Sequence, residues 1–194
     1  MKKLARERKF TLEELYQATK DTLVHVGYNG FTFSIIAEKL ELSRGTIYKY
    51  FVNKDELITE YMLYDMNRFL EDLKLIHQYK SFDEQFDYLL GIIFRDRTIQ
   101  QLIRIASQIP ESKENQVKVN LEKLRRLHLD MYAQLEDFIQ LGKVEGKIRE
   151  NLHSGLILGF IFQSIVIPNH FQVPESDWFS SIKDIIRFGI YRQS

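Results

Sequence analysis

Ser43-Arg44-Gly45-Thr46-Ile47-Tyr48-Lys49-Tyr50-Phe51 decides how the chain is read, because these nine residues form a short amphipathic helix with a narrow, donor-rich outer face. Ser43 is of the type that caps helix N-termini, and Ile47 and Phe51 fall about one turn apart on one side. That side continues an apolar pattern set upstream by Ile36, Ala37 and Leu40, so it must be buried. At roughly 100° per residue, Gly45, Thr46 and Lys49 lie opposite it, Arg44 sits in the first turn, and Tyr48 and Tyr50 flank the two edges.

Upstream, Thr32 to Leu40 has the pattern of a second short helix, parted from the first by only Glu41-Leu42-Ser43, which is a helix-turn-helix spacing. In that motif the second helix enters the DNA major groove with its N-terminal residues toward the bases, while the first crosses the phosphate backbone. Gly45 removes a side chain where the groove comes nearest, and Ser43 and Thr46 add hydroxyls beside it. Arg44 and Lys49 have the donors for base edges; an arginine on guanine O6 and N7 is worth roughly 1–3 kcal/mol of discrimination. Thr32, Tyr48, Tyr50 and Lys54 suit phosphates, since Thr32 and Lys54 lie near helix starts, where backbone amides already favour anions. The bland alternative for Arg44 and Lys49 is a solvated helix surface, and for Tyr48 a part-buried ring.

Between Gly27 and Leu57 stand Gly27-Tyr28, Phe31-Thr32, Ile36-Ala37, Leu42-Ser43, Gly45-Thr46-Ile47-Tyr48, Tyr50-Phe51 and Lys54-Asp55-Glu56-Leu57. This run resembles the DNA-binding domain of tetracycline-repressor (TetR) family regulators. One residue departs from the family pattern: the inter-helix turn usually holds Gly, and here it is Glu41. If the backbone there needs a positive φ, Glu costs on the order of 1 kcal/mol relative to Gly. The resemblance implies an all-α chain of about nine helices: a three-helix head, then a helical body with an effector pocket between helices four and eight. It also implies that the last two helices pair with those of a second subunit.

Composition bounds the alternatives. At 194 residues the chain can bury a real core without a disulfide or metal staple, and it has no cysteine, which excludes thiolate zinc sites and thiol nucleophiles. Its formal net charge of zero argues against coating nucleic acid through bulk charge. Positive charge is local: Lys2, Lys3, Arg6, Arg8 and Lys9 against Glu7 make either a phosphate-tracking arm or a solvated terminus. Met1 to Phe10 lacks the apolar run of a signal peptide, and a cytoplasmic protein is expected.

The apolar periodicity is helical nearly throughout. A first helix starts at Thr11, with Glu14 at capping-box spacing, and Gly27 ends it. Asn53 with Glu56 opens a long helix toward His77, and Ser81 with Glu84 caps another through Phe94. A shorter helix runs from about Thr98 to Gln108 before Pro110, and a long one from about Lys113 to Leu141. Leu152 to Ile167 is the most apolar stretch, and Glu175 to Arg192 is the last helix. The expected division is residues 1–52 as the DNA-binding domain and residues 53–194 as the effector-binding and dimerisation domain.

In the body, Tyr64, Phe69, Phe86, Phe94, Ile103, Arg104, Tyr132 and Phe138 are the candidates for lining an effector pocket, with Tyr64, Arg104 and Tyr132 as polar handles. A single sequence does not separate lining from core filling. Gly155 and Gly159, four apart, permit close helix approach, and with Phe162, Trp178, Ile182 and Ile186 they are the candidate dimer interface. The Leu152 stretch is shorter than the roughly 20 residues that span a bilayer, so no membrane partner is expected. Glu150-x-x-His153 is half of a di-iron carboxylate pattern without its other half, and the histidines show no ligand spacing. No catalytic residue, metal or cofactor is therefore assigned. The expected function is an effector-released, homodimeric repressor on a palindromic operator in double-stranded DNA; the alternative is a helical enzyme or metal-binding bundle with a helix-turn-helix-like head.

Overall fold

The computed structural model describes residues 10–96, 98–110 and 115–190. Among the described residues lie ten α-helices and no β-strand, so the chain is all-α. The helices are α1 (Leu12–Gly30), α2 (Phe33–Lys39), α3 (Arg44–Ile47), α4 (Lys54–Lys74), α5 (Phe82–Phe94), α6 (Ile99–Ala106), α7 (Asn115–Gln134), α8 (Glu136–Val144), α9 (Ser154–Gln163) and α10 (Glu175–Ile190). Short 3-10 turns follow α4 at Leu75–Gln78 and α9 at Ser164–Val166. The single long helix expected to reach Leu141 is broken at Leu135, whose φ of −94° and ψ of 1° leave the helix. Its N–H bonds the Tyr132 carbonyl three residues back, so α7 and α8 form in place of one helix. The basic arm from Lys2 to Lys9 lies outside the described residues.

The chain packs as two compact units, one of Met1–Asp65 with Gln101–Leu124 and one of Met66–Gln100 with Arg125–Ser194. These are packing units, distinct from the division expected between residues 52 and 53.

In the first unit α1 starts at a reciprocal capping box: Thr11 N–H donates to Glu14 at 2.7 Å and Glu14 N–H donates to Thr11 Oγ1 at 3.1 Å. At Gly27 the backbone turns to φ 67°, a conformation open to glycine at no steric cost, and the helical axis breaks before Gly30. Leu15, Leu23, Phe31, Ile36, Ala37, Ile47, Phe51, Leu57 and Ile58 form the core. Leu102 and Ile105 of α6 and Val117 of α7 complete that core, a contribution from distant sequence. Two polar links join the same pieces. Gln101 donates to the Val24 carbonyl at 2.5 Å, and the buried Asn120 amide donates to Thr59 Oγ1 at 3.1 Å. Satisfying both partners of the buried pair matters, because a buried polar group left unpaired costs about 1–3 kcal/mol.

The second unit is organised by stacked rings. Phe82 lies 4.8 Å from Phe138 and 6.0 Å from Phe86, with Leu89, Ile139, Ile157, Leu158, Ile161, Ile182 and Ile186 around them. Gly142 is obligatory here, since a Cβ would stand 2.7 Å from both the Phe82 ring and Ile148. Asp83, in the first turn of α5, pairs with Lys147 at 2.9 Å and Arg187 at 2.6 Å, tying the segment before α9 and the helix α10 to α5.

Candidate nucleic-acid interface

The helix-turn-helix is built locally. Thr32 caps α2 through its hydroxyl, which accepts from Ile35 N–H, and Leu42 N–H returns to the Ala37 carbonyl at 2.7 Å. Between them Glu41 takes φ 54°, the left-handed conformation that glycine occupies without cost. Leu42 tucks partly under the head, and the chain enters α3 at Ser43.

α3 itself is one turn of four residues, shorter than the nine-residue helix expected. Tight turns continue it: Lys49 N–H bonds the Thr46 carbonyl, and both Tyr50 and Phe51 N–H bond that of Ile47. The face assignment is seen in Ile47 and Phe51, which are buried, and in Arg44, Gly45 and Lys49, which are exposed, while Thr46 is half-buried. Ser43 has the extended backbone of an N-cap but makes no side-chain cap bond; its hydroxyl is instead hydrogen-bonded to Thr46 Oγ1 at 2.8 Å. A Cβ on Gly45 would meet only Ser43 Oγ, at 4.0 Å, so nothing in the fold demands glycine there.

The flanking residues are held from below. Tyr50 sits edge-on to Phe10 at 5.6 Å, and Tyr48 edge-on to the buried Phe33 at 4.8 Å. Thr32 is exposed at the start of α2. Lys54, the first residue of α4, donates to the Tyr28 carbonyl at 2.8 Å and lies 4.0 Å over the Tyr28 ring, while the Tyr28 hydroxyl donates to Asp55 at 2.8 Å. Lys54 thus serves as a latch between the end of α1 and the start of α4, a role its position alone did not reveal. Burial, then the Asp55 hydrogen bond and charge, pushes the Tyr28 phenol up to about 12.

Residues 15–61 match the family model for bacterial regulatory proteins of the tetR family. The chain carries a TetR-type head. By sequence, no curated protein matches the chain. Its fold is that of solved transcriptional regulators. It is similar to FadR from Bacillus subtilis in complex with stearoyl-CoA (18% identity, 93% of this chain and 100% of that one, TM-score 0.66). It is also similar to the ketosteroid transcriptional regulator KstR2 of Mycobacterium tuberculosis (16%, 97% and 97%, 0.71). A third such structure is a TetR-family transcriptional regulator from Haemophilus influenzae (21%, 93% and 96%, 0.62).

The eight candidate pocket residues do not form one group. Tyr64, Ile103 and Arg104 belong to the first unit, where Tyr64 packs on Tyr16 at 4.8 Å and Ile103 and Arg104 are exposed on α6. Phe86 and Phe138 are enclosed in the Phe82 stack and fill core, and Phe94 packs on Phe179 at 5.3 Å. Phe69 and Tyr132 do come together, with Phe162 between them at 6.4 and 5.7 Å and His128 5.2 Å from Tyr132. Tyr132 is half-buried, burial lifts its phenol above the usual range, and its hydroxyl makes no hydrogen bond among the described residues.

The candidate dimer residues need a similar re-sorting. Ile182 and Ile186 are 4% and 1% exposed, spent on the core of their own subunit, and Phe162 and Trp178 are half-buried against it. Gly155 and Gly159 sit half-exposed on α9, and a Cβ at Gly159 would meet the Tyr132 hydroxyl at 3.8 Å. The outward apolar residues are others: Leu156 (66% exposed) and Phe160 (56%) on α9, Ile185 (65%) and Phe188 (73%) on α10. The signal for them was a second apolar stripe on each helix, one position out of phase with the buried one.

His153 Nδ1 accepts from Gly155 N–H at 3.2 Å and so caps α9 rather than pairing with Glu150 toward a metal. Among the described residues no cluster of three or more His, Asp or Glu is arranged to hold a metal ion, and no helix is long and apolar enough to cross a membrane.

Proposed function

We propose that the chain is a bacterial, cytoplasmic, homodimeric regulator that binds a pseudo-palindromic operator in double-stranded DNA and represses until a small apolar or amphipathic effector releases it. Residues 1–52 read DNA, and residues 53–194 bind effector and dimerise. The observation that carries this is Gly45: an exposed glycine that the fold does not need, set between Arg44 and Thr46 in α3, with Lys49 in the turn that follows. A glycine with no internal reason fits a surface approached closely by a partner, and the major groove admits that helix.

Two subunits joined through Leu156, Phe160, Ile185 and Phe188 would present two copies of α3 to successive grooves, about 34 Å apart. The effector class is supported by the Phe69, Phe162 and Tyr132 rings with a Tyr132 hydroxyl that is unpaired among the described residues, an apolar wall carrying a polar contact, and by the stearoyl-CoA bound to FadR from Bacillus subtilis. Release is a population shift: an effector that favours a body conformation in which the α3 helices miss that spacing lowers operator affinity, and operator lowers effector affinity by the same factor.

Selection of random duplex DNA with the purified protein tests the reading. Recovered sequences should contain an inverted repeat with half-site centres about one helical turn apart. Recovery of unrelated sequences, with binding that only tracks salt, would remove it.

A further inference from the structure

Arg44 does not stand free on the outer face of the head. Its Nη2 donates to the Tyr48 hydroxyl at 2.9 Å, one turn along the chain, and its guanidinium carbon lies 5.3 Å from the centre of that ring. The ring is itself set edge-on against Phe33 of α2 at 4.8 Å, and Phe33 belongs to the buried core of the head. A string of three side chains therefore runs from the core to the exposed cation. The Lys49 side chain, on the same face, makes no hydrogen bond or ion pair among the described residues and provides the contrast.

We infer that Tyr48 is the positioning residue for Arg44, holding the guanidinium in the orientation in which it reads a base, so that its main contribution is to sequence preference rather than to phosphate affinity. This rests on the DNA-binding reading above. Arginine carries several rotatable bonds, and freezing them on binding opposes association. A hydroxyl that accepts one of the five guanidinium N–H groups restricts the side chain beforehand and leaves four donors, enough for a two-pronged contact with guanine O6 and N7. The phenol suits this because its ring is fixed by Phe33 while its oxygen reaches past the ring edge to Arg44. Phenylalanine at position 48 would keep the ring contact and lose only the acceptor.

The test compares the wild type with Tyr48→Phe, Arg44→Ala, Lys49→Ala and the double variant Arg44→Ala/Tyr48→Phe. Affinities are measured on the selected operator, on each of its single-base variants, and over a range of salt concentration. Arg44→Ala should abolish preference at one base pair per half-site. Tyr48→Phe should weaken preference at that same base pair by about 2- to 10-fold, the factor for leaving one rotamer-rich side chain free. The double variant should show no further loss of preference at that pair, and Lys49→Ala should leave it intact. An unchanged base-preference profile in Tyr48→Phe overturns the inference, whatever happens to its salt slope; so does an unchanged profile in Arg44→Ala. If the wild type selects no sequence at all, the DNA-binding reading itself fails, which is a separate result.

Discussion

At the scale of single residues, Gly45 and Glu41 are opposite cases of a backbone at odds with its side chain. Gly45 lies in α3 with open space where a Cβ would go, so Gly45→Ala should raise stability by roughly 0.5–1 kcal/mol, the helical cost of glycine. The same methyl should weaken operator binding at least severalfold. A thermal melt and a binding titration on one preparation read both effects, and a variant that melts higher yet binds as tightly would mean that no partner approaches this face. Glu41 is the reverse: a side chain at φ 54°, exposed, and free of any need for its carboxylate in the turn. Glu41→Gly should stabilise the head by about 1 kcal/mol, the left-handed penalty relieved. A chemical-denaturation midpoint that falls instead would show that the unfolded chain's gain in freedom outweighs the strain.

At the scale of elements, what could be read ahead of the structure was what local chemistry specifies. The capping boxes at Thr11 and Ser81, the break at Gly27, the α2-turn-α3 unit and its buried Ile47 and Phe51 all depend on residues within a turn or two of one another. The α7/α8 interruption at Leu135 was not legible, because no proline or glycine marks it. Nor was the pairing of Asn120 with Thr59, which joins positions far apart in the chain. The Lys54, Tyr28 and Asp55 latch is of that kind too, and it carries a pH signature. The folded-state phenol of Tyr28 sits near 12 against an ordinary 10.0, so the folded protein holds that proton more tightly than the unfolded chain. Its stabilisation is complete below about pH 10 and is lost as pH climbs from there through about 12, to a total of at most about 2–3 kcal/mol. Tyr28→Phe lacks the titrating group. The stability gap between wild type and Tyr28→Phe, measured by urea unfolding, should narrow from pH 8 to pH 11.5, and subtracting the two proteins cancels the titration of the other tyrosines and lysines. A gap that stays constant would place the phenol's proton outside the folding equilibrium.

At the scale of the whole molecule, the proposed pairing of two subunits depends on which apolar residues each spends on itself. α10 carries two stripes, and Ile182 and Ile186 were the natural choice for an interface because they repeat at helical spacing with Trp178. They are instead buried in the second unit, and what remains outward is Ile185 and Phe188 with Leu156 and Phe160 of α9. A set of four large apolar side chains in water is costly to leave exposed, and in the proposed dimer a second copy of the same helices would cover them. Phe160→Glu should therefore leave the protomer folded, since the side chain touches solvent there, while placing a carboxylate in the apolar centre of the pair. The dimer dissociation constant should rise at least about tenfold, the loss expected from an aromatic anchor in a buried patch. Sedimentation velocity across micromolar concentrations measures it. The consequence for DNA follows from the neutral net charge: with no bulk attraction, affinity comes from a few local contacts per head, so a lone subunit should bind a half-site with about half the salt slope of the dimer. If Phe160→Glu is monomeric and still binds the full operator with undiminished affinity and slope, two-fold recognition is wrong and each head acts alone.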